Sequence, residues 1–172
     1  MRLTNYSDYA LRTLMYLAVM PESETLALAT ITDIANSYQI SRSHLTKIIH
    51  QLAQIGYIDS IRGKNGGIRL AKPAKDIILG EVIRQTEPDF QLVPCFAKAN
   101  VGAHDKDGGA STTKPPKKPA EICEITPVCK LKSVFYQATQ AFLQVMDSYT
   151  LADIVANEEE LWQILKFHKA SN

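Results

Sequence analysis

The apolar residues of this chain recur first at helical period, then at the period of a strand, then without period, and finally at helical period again. Between Tyr6 and Met20, residues Tyr6, Tyr9, Ala10, Leu14, Leu17 and Ala18 fall on one helical face by three- and four-residue steps. Pro21 lacks a backbone donor and should end that helix. Ile31, Ile34, Ala35 and Tyr38 mark a second helix, entered through Thr30 or Thr32 as cap. After the turn Gln39-Ile40, Ser41 is suited to cap a third helix whose buried face is Leu45, Ile48, Ile49 and Leu52. Two short helices joined this closely make a helix-turn-helix, whose second member lies in the major groove when such a unit binds DNA.

The polar side of the third helix carries the first chemical signal. At about 100° per residue, the direction opposite its apolar stripe holds Ser43, Lys47, His50 and Gln54, with Thr46 and Gln51 flanking. These are hydrogen-bond donors, with no acid among them. Gly56 stops the helix. Tyr57 to Ile61 then reads as a strand, Arg62-Gly63-Lys64-Asn65-Gly66-Gly67 as a tip, and Ile68-Arg69-Leu70 as the return strand, because Asn-Gly favours a tight hairpin. A basic hairpin following a helix-turn-helix is a wing. Its glycines would let the backbone approach a phosphate or a minor groove closely.

Beyond Pro73, residues Leu79, Val82 and Ile83 predict a short linking helix closed by Pro88. Periodicity then vanishes from Gln91 to Pro127. Residues 97–120 hold almost nothing large and apolar, so this stretch cannot offset its ordering entropy and should be mobile. After Cys129, residues Leu131, Val134, Phe135, Ala138, Ala141, Phe142, Val145 and Met146 recur over several turns of one long helix. Such a wide stripe calls for a partner, and the same helix of a second copy would match a palindromic operator. Leu151, Ile154, Leu161, Trp162 and Leu165 suggest a tail helix or two packed back onto the core.

The expected class is therefore mainly α with a small β-hairpin wing. Residues 1–75 form a winged helix-turn-helix, residues 76–130 a linking helix and a cysteine-bearing loop with the insert 97–120, and residues 131–172 the dimerisation helix and tail. Charge follows this division. Residues 1–75 carry 9 Lys/Arg against 5 Asp/Glu, a net +4, whereas residues 76–172 carry 10 against 13, a net −3. The basic part suits a polyanion. No apolar run is long enough to span a bilayer and the first residues lack a signal-peptide core, so no membrane association and a cytoplasmic location are expected.

The three cysteines, Cys95, Cys123 and Cys129, all lie in one polar stretch just ahead of the long helix. An odd number of clustered thiols points to ligation of a metal or an iron-sulfur cluster, not to a disulfide framework. An enzyme with a nucleophilic Cys123 or Cys129 would need a base and an oxyanion site, and no histidine stands in a supporting context, so no enzymatic activity is expected. Three thiolates with one Asp or His also suit tetrahedral zinc, so a zinc- or thiol-redox-controlled DNA-binding regulator stays open at this point. His44 and His50 sit on or beside the polar face of the third helix, and His104 and His168 in the insert and tail.

Particular strings resemble the Rrf2 family of winged-helix regulators, and within it the nitric-oxide-sensing branch. They are Leu3-Thr4 and Asp8-Tyr9 opening the first helix, Ser41-Arg42 starting the third, and Arg62 to Leu70 in the wing. Further along they are Ile125-Thr126-Pro127 with Cys129, Leu131-Lys132, and Tyr149 to Asp153. The wing string and the segment from Cys123 to Lys132 are the specific parts.

The resemblance implies a homodimeric repressor that binds double-stranded operator DNA and releases it when nitric oxide destroys its cluster. Contacts to DNA would come from Ser41, Arg42, Ser43, His44, Lys47, Arg62, Gly63, Lys64, Asn65, Gly66 and Gly67. It further implies that Cys95, Cys123 and Cys129 hold an iron-sulfur cluster, 4Fe-4S in preference to 2Fe-2S, with Asp8 of the partner subunit as fourth ligand. Without the resemblance, Asp8 reads as a favourable acid in a first helical turn. The cluster-assembly branch of the family, the alternative within it, places a histidine three residues after its last cysteine, where this chain has Lys132. One departure is large: 27 residues, Phe96 to Ile122, separate the first two cysteines. Loop closure grows only as ln n, so lengthening from about 5 to 27 residues costs roughly 1.5 kcal/mol, which three iron-thiolate bonds can offset.

Overall fold

The computed structural model describes residues 2–20, 28–64, 66–90, 92–93, 123–125 and 127–165. Its elements run α1 (Asn5–Ala18), α2 (Ile31–Tyr38), α3 (Arg42–Gln54), β1 (Ile58–Ile61), β2 (Gly67–Leu70), a 3-10 turn (Ala74–Asp76), α4 (Leu79–Thr86), α5 (Lys130–Asp147), α6 (Leu151–Ile154) and α7 (Glu158–Leu165). Two compact units emerge: Arg2–Pro88 together with Gln144–Asn172, and Asp89–Leu143. The division falls inside α5.

In the first unit, each helix starts and stops for a local reason. The Thr4 hydroxyl accepts from the Ser7 amide at the head of α1. Thr30 and Asp33 form a capping box at the head of α2, each side chain accepting from the other's backbone amide. At the far end of α2, Gln39 adopts a left-handed conformation with φ 53°, and the Ile40 amide donates to the Ala35 carbonyl. That geometry turns the chain into α3 without a glycine. Ser41 occupies the cap position of α3, but its hydroxyl bonds to Ser43 at 2.8 Å and makes no cap to the backbone. α1 ends at Ala18, ahead of Pro21, because the chain turns at Val19, which is itself buried.

Ala10, Leu14, Leu45, Ile48, Leu52, Ile34, Val82 and Leu151 form the centre of the core, each almost fully buried. The buried faces of α2 and α3 are the predicted ones. α1 buries more than its apolar stripe: Ser7 and Thr13 are fully buried too, Thr13 satisfied by donating to the Tyr9 carbonyl at 2.7 Å.

The sheet is a two-stranded antiparallel hairpin in the register Ile58↔Leu70 to Ile61↔Gly67. Ala29 adds a bridge to Ile68, with amide-carbonyl bonds of 3.0 and 2.8 Å. The chain after the 3-10 turn pairs with the chain between α5 and α6: Leu79 donates to the Tyr149 carbonyl and Leu151 to that of Ile77. Leu151 and Leu165 then pack into the core, so the tail helices return to it as expected.

In the second unit, α5 up to Leu143 buries only Thr139 and Leu143 among its side chains. Leu131 and Val134 are each 56 % exposed, and Ala138 and Ala141 are exposed as well. The expected apolar stripe is therefore divided: Phe135, Phe142 and Met146 are half-buried, and Leu131, Val134, Ala138, Ala141 and Val145 lie open. Among the described residues, no helix is long and apolar enough to cross a membrane.

Candidate nucleic-acid interface and metal centre

α3 is anchored from behind. Leu45, Ile48, Ile49 and Leu52 point inward, which leaves Arg42, Ser43, His44, Thr46, Lys47, His50 and Gln54 exposed. The Thr46 hydroxyl is occupied by the Arg42 carbonyl at 2.9 Å. The His44 ring lies 6.3 Å from that of Tyr9. Two hydrogen bonds hold this helix in place, and neither is visible as a local pattern. The Tyr6 hydroxyl donates to the Lys47 carbonyl at 3.3 Å, and the Gln51 amide donates to the Gln85 carbonyl at 2.7 Å. Gln51, which helical projection places on the flank of the polar face, is thus turned toward α4.

The wing tip follows from its glycines. Gly63 has φ +122°, and the Gly66 amide donates to its carbonyl at 3.0 Å. Arg62, Gly63 and Lys64 are exposed, Gly66 and Gly67 half-buried, and Asn65 lies outside the described residues. Gly67 has an internal reason to be glycine. A Cβ there would fall 2.7 Å from the Ala29 carbonyl oxygen, where the bridge to Ile68 holds the two backbones together. At the wing's base, Lys72 Nζ lies 4.4 Å from the centre of the buried Tyr57 ring. Burial, and then the nearby Glu81, push the Tyr57 hydroxyl's pKa up. On the exposed strand face, Arg69 pairs with Asp59 directly opposite.

Asp8 sits in the first turn of α1 and accepts from Arg12 Nε at 3.0 Å. Arg12 also lies 5.9 Å from the centre of the Tyr38 ring, so one guanidinium joins the acid of α1 to α2. Burial pushes the Tyr38 hydroxyl up to about 12, with Arg12 opposing. Cys123 is exposed and Cys129 half-buried, on a turn closed by the Val128 amide donating to Ile125. Cys129 directly precedes Lys130, the first residue of α5. Cys95 and the insert 97–120 lie outside the described residues, as do His104 and His168. Among the described residues, no group of three or more His, Cys, Asp and Glu comes together. The two described thiols are donors of the kind that hold a soft metal or cluster, and beside them Ile125 and Val128 are 59 % and 80 % exposed.

The chain is 40% identical over 167 residues to the HTH-type transcriptional regulator NsrR of Shouchella clausii, covering 97% of each. It is 44% identical over 166 residues to the same-named regulator of Bacillus subtilis, covering 96% of this chain and 98% of the relative. Two solved structures share the fold: T. potens IscR, with a TM-score of 0.62 at 23% identity over 93% of this chain and 90% of that one, and B. subtilis CymR, the global cysteine regulator, with 0.60 at 20% over 91% and 98%. A helix-turn-helix with a glycine-built wing, matched over residues 3–157 to the family described as iron-dependent transcriptional regulators, places the chain in the Rrf2 family, and it is a transcriptional regulator.

Proposed function

We infer that this regulator is a homodimeric repressor that holds an iron-sulfur cluster and releases its operator when nitric oxide reaches it. The observation that carries the DNA reading is the face of α3: seven exposed polar or basic side chains, of which only Thr46 spends its donor on the helix's own backbone, with no acid among them. Ser41, Arg42, Ser43, His44 and Lys47 face base edges and nearby phosphates, and Arg62, Gly63, Lys64, Asn65, Gly66 and Gly67 meet the minor groove or backbone. The uncovered apolar side of α5, with Leu131, Val134 and Val145 each 56 % exposed, supports a second copy as partner.

The ligands are Cys95, Cys123, Cys129 and Asp8 of the partner subunit, around a 4Fe-4S cluster in preference to 2Fe-2S. When bound, the cluster supplies iron reactive toward nitric oxide, with the hard carboxylate ligand the most readily displaced. The protein's own part is mechanical. Asp8 shares α1 with Tyr6, whose hydroxyl supports the backbone of α3 at Lys47, so release of Asp8 frees the helix behind the recognition surface. Lys132, at the third position after Cys129, separates the chain from the cluster-assembly branch.

The test is anaerobic purification followed by nitric oxide titration, monitored by absorption and gel shift on the same samples. Visible charge-transfer bands should bleach with the dose dependence of operator release. Colourless protein containing zinc would replace the cluster with a tetrahedral structural metal. Bleached protein that keeps its operator affinity would refute the switch.

A further inference from the structure

α4 is only eight residues long, yet polar contacts made by it and by its C-terminal cap Glu87 reach α5, α3 and the cap of α1. Toward the end of α5, Arg84 grips Asp147 with two parallel bonds, Nη1 to Oδ1 at 2.5 Å and Nη2 to Oδ2 at 2.6 Å. This fork rests on Gly80. A Cβ built at Gly80 would fall 1.9 Å from Asp147 Oδ1, so any larger residue expels the carboxylate from its seat. Backbone bonds reinforce the junction on either side, from Leu79 to Tyr149 and from Leu151 to Ile77. At the other end of α4, the Gln85 carbonyl accepts from Gln51 of α3. The Glu87 carboxylate accepts from the amide and hydroxyl of Thr4, the cap of α1, at 2.8 and 3.1 Å.

We propose that the Arg84–Asp147 clasp, seated on Gly80, makes α4 a coupling strut that transmits the placement of the end of α5 to the recognition helix α3, and so sets the half-site spacing that a dimer of this chain accepts. Arg84, Asp147, Gly80 and Gln51 are positioning residues in this account and touch no DNA. The inference rests on the homodimeric operator-binding reading above. Its physical basis is stiffness. One added base pair moves a half-site by about 3.4 Å and rotates it by roughly 35°, a displacement that a rigid junction rejects and a loosened one accommodates.

The experiment selects a palindromic duplex from a random pool with the wild-type protein. That duplex is then rebuilt with one base pair inserted or deleted between its halves. Fluorescence anisotropy gives the affinity for each spacing. Wild type should discriminate at least about tenfold against the altered spacings, and R84Q, D147N and G80A should narrow that ratio to about threefold or less. The charge-swapped double variant R84D/D147R should restore it. G80A is the critical arm because it removes no charge and does not weaken helix propensity. A merely stabilising clasp would lower thermal stability and affinity for all spacings together, leaving the ratio unchanged. Folded variants with the wild-type ratio overturn the inference alone, whereas a wild-type protein with no preference for a palindrome overturns the functional reading itself.

Discussion

Three single residues carry tests of their own. Gln39 holds φ 53° at the corner between α2 and α3, a conformation that costs a residue with a Cβ roughly 1 kcal/mol. Gln39→Gly should therefore stabilise the protein by about 1 kcal/mol, read from the urea midpoint at unchanged slope. Arg62 is exposed at the wing tip. If it contacts DNA, Arg62→Ala should weaken operator binding by about 1–3 kcal/mol, measured by gel shift, with little effect on melting. Acid stability turns on carboxylates. The Arg84 hydrogen bond holds Asp147 below the usual carboxylate range, and the Thr150 amide, then its hydroxyl, hold Asp153 below it. A depressed carboxylate contributes stability above its unfolded value, about 3.9, and loses it as pH falls through the folded value. Stability should thus decline below about pH 4, and D147N should show a shallower decline in thermal scans across that range.

Among the elements, α5 has the clearest unmet need. A helix whose interior side chains are mostly apolar or small, and which buries only Thr139 and Leu143, leaves much of its hydrophobic surface in water. Val134 lies on that open surface, 56 % exposed. A surface substitution there should change folding stability by no more than about 0.5 kcal/mol, yet a charge would be costly inside a dimer interface. Val134→Asp should accordingly give a folded monomer by sedimentation velocity, and an unaltered dimer would move the interface elsewhere. The two strands of the wing were legible, but its turn was not, since the left-handed residue is Gly63 and Gly67 belongs to β2, and neither was the reason for Gly67. Its close approach is to Ala29, a residue 38 positions away, and hairpin rules carry no information about that bridge.

At the scale of the whole molecule, the proposed switch depends on α1 as both ligand-bearing and supporting helix. Asp8 is paired with Arg12 in this structure, and Tyr6, two residues earlier, bonds to the backbone of α3. Asp8→Ala should make the cluster decay faster in air while leaving dimerisation intact, followed by visible absorption and by sedimentation. An unchanged decay rate would return Asp8 to the role of an acid favouring a helix's first turn.

What the sequence by itself determined is everything that local period and turn chemistry encode. The inward faces of α2 and α3, a threonine cap at Thr30 or Thr32, the hairpin with its basic tip and the run of α5 are all set by residues within a few positions of one another, and the structure chooses Thr30. The cysteine segment and the wing string also carried the family. Tertiary structure alone decided which polar side chains meet across the fold: Gln51 with Gln85, Arg84 with Asp147, and Thr4 with Glu87, at separations of 34, 63 and 83 residues. It also decided which part of α5's stripe is covered. Periodicity shows that a face is apolar, but not what lies against it, and a hydrogen bond between distant residues leaves no period at all.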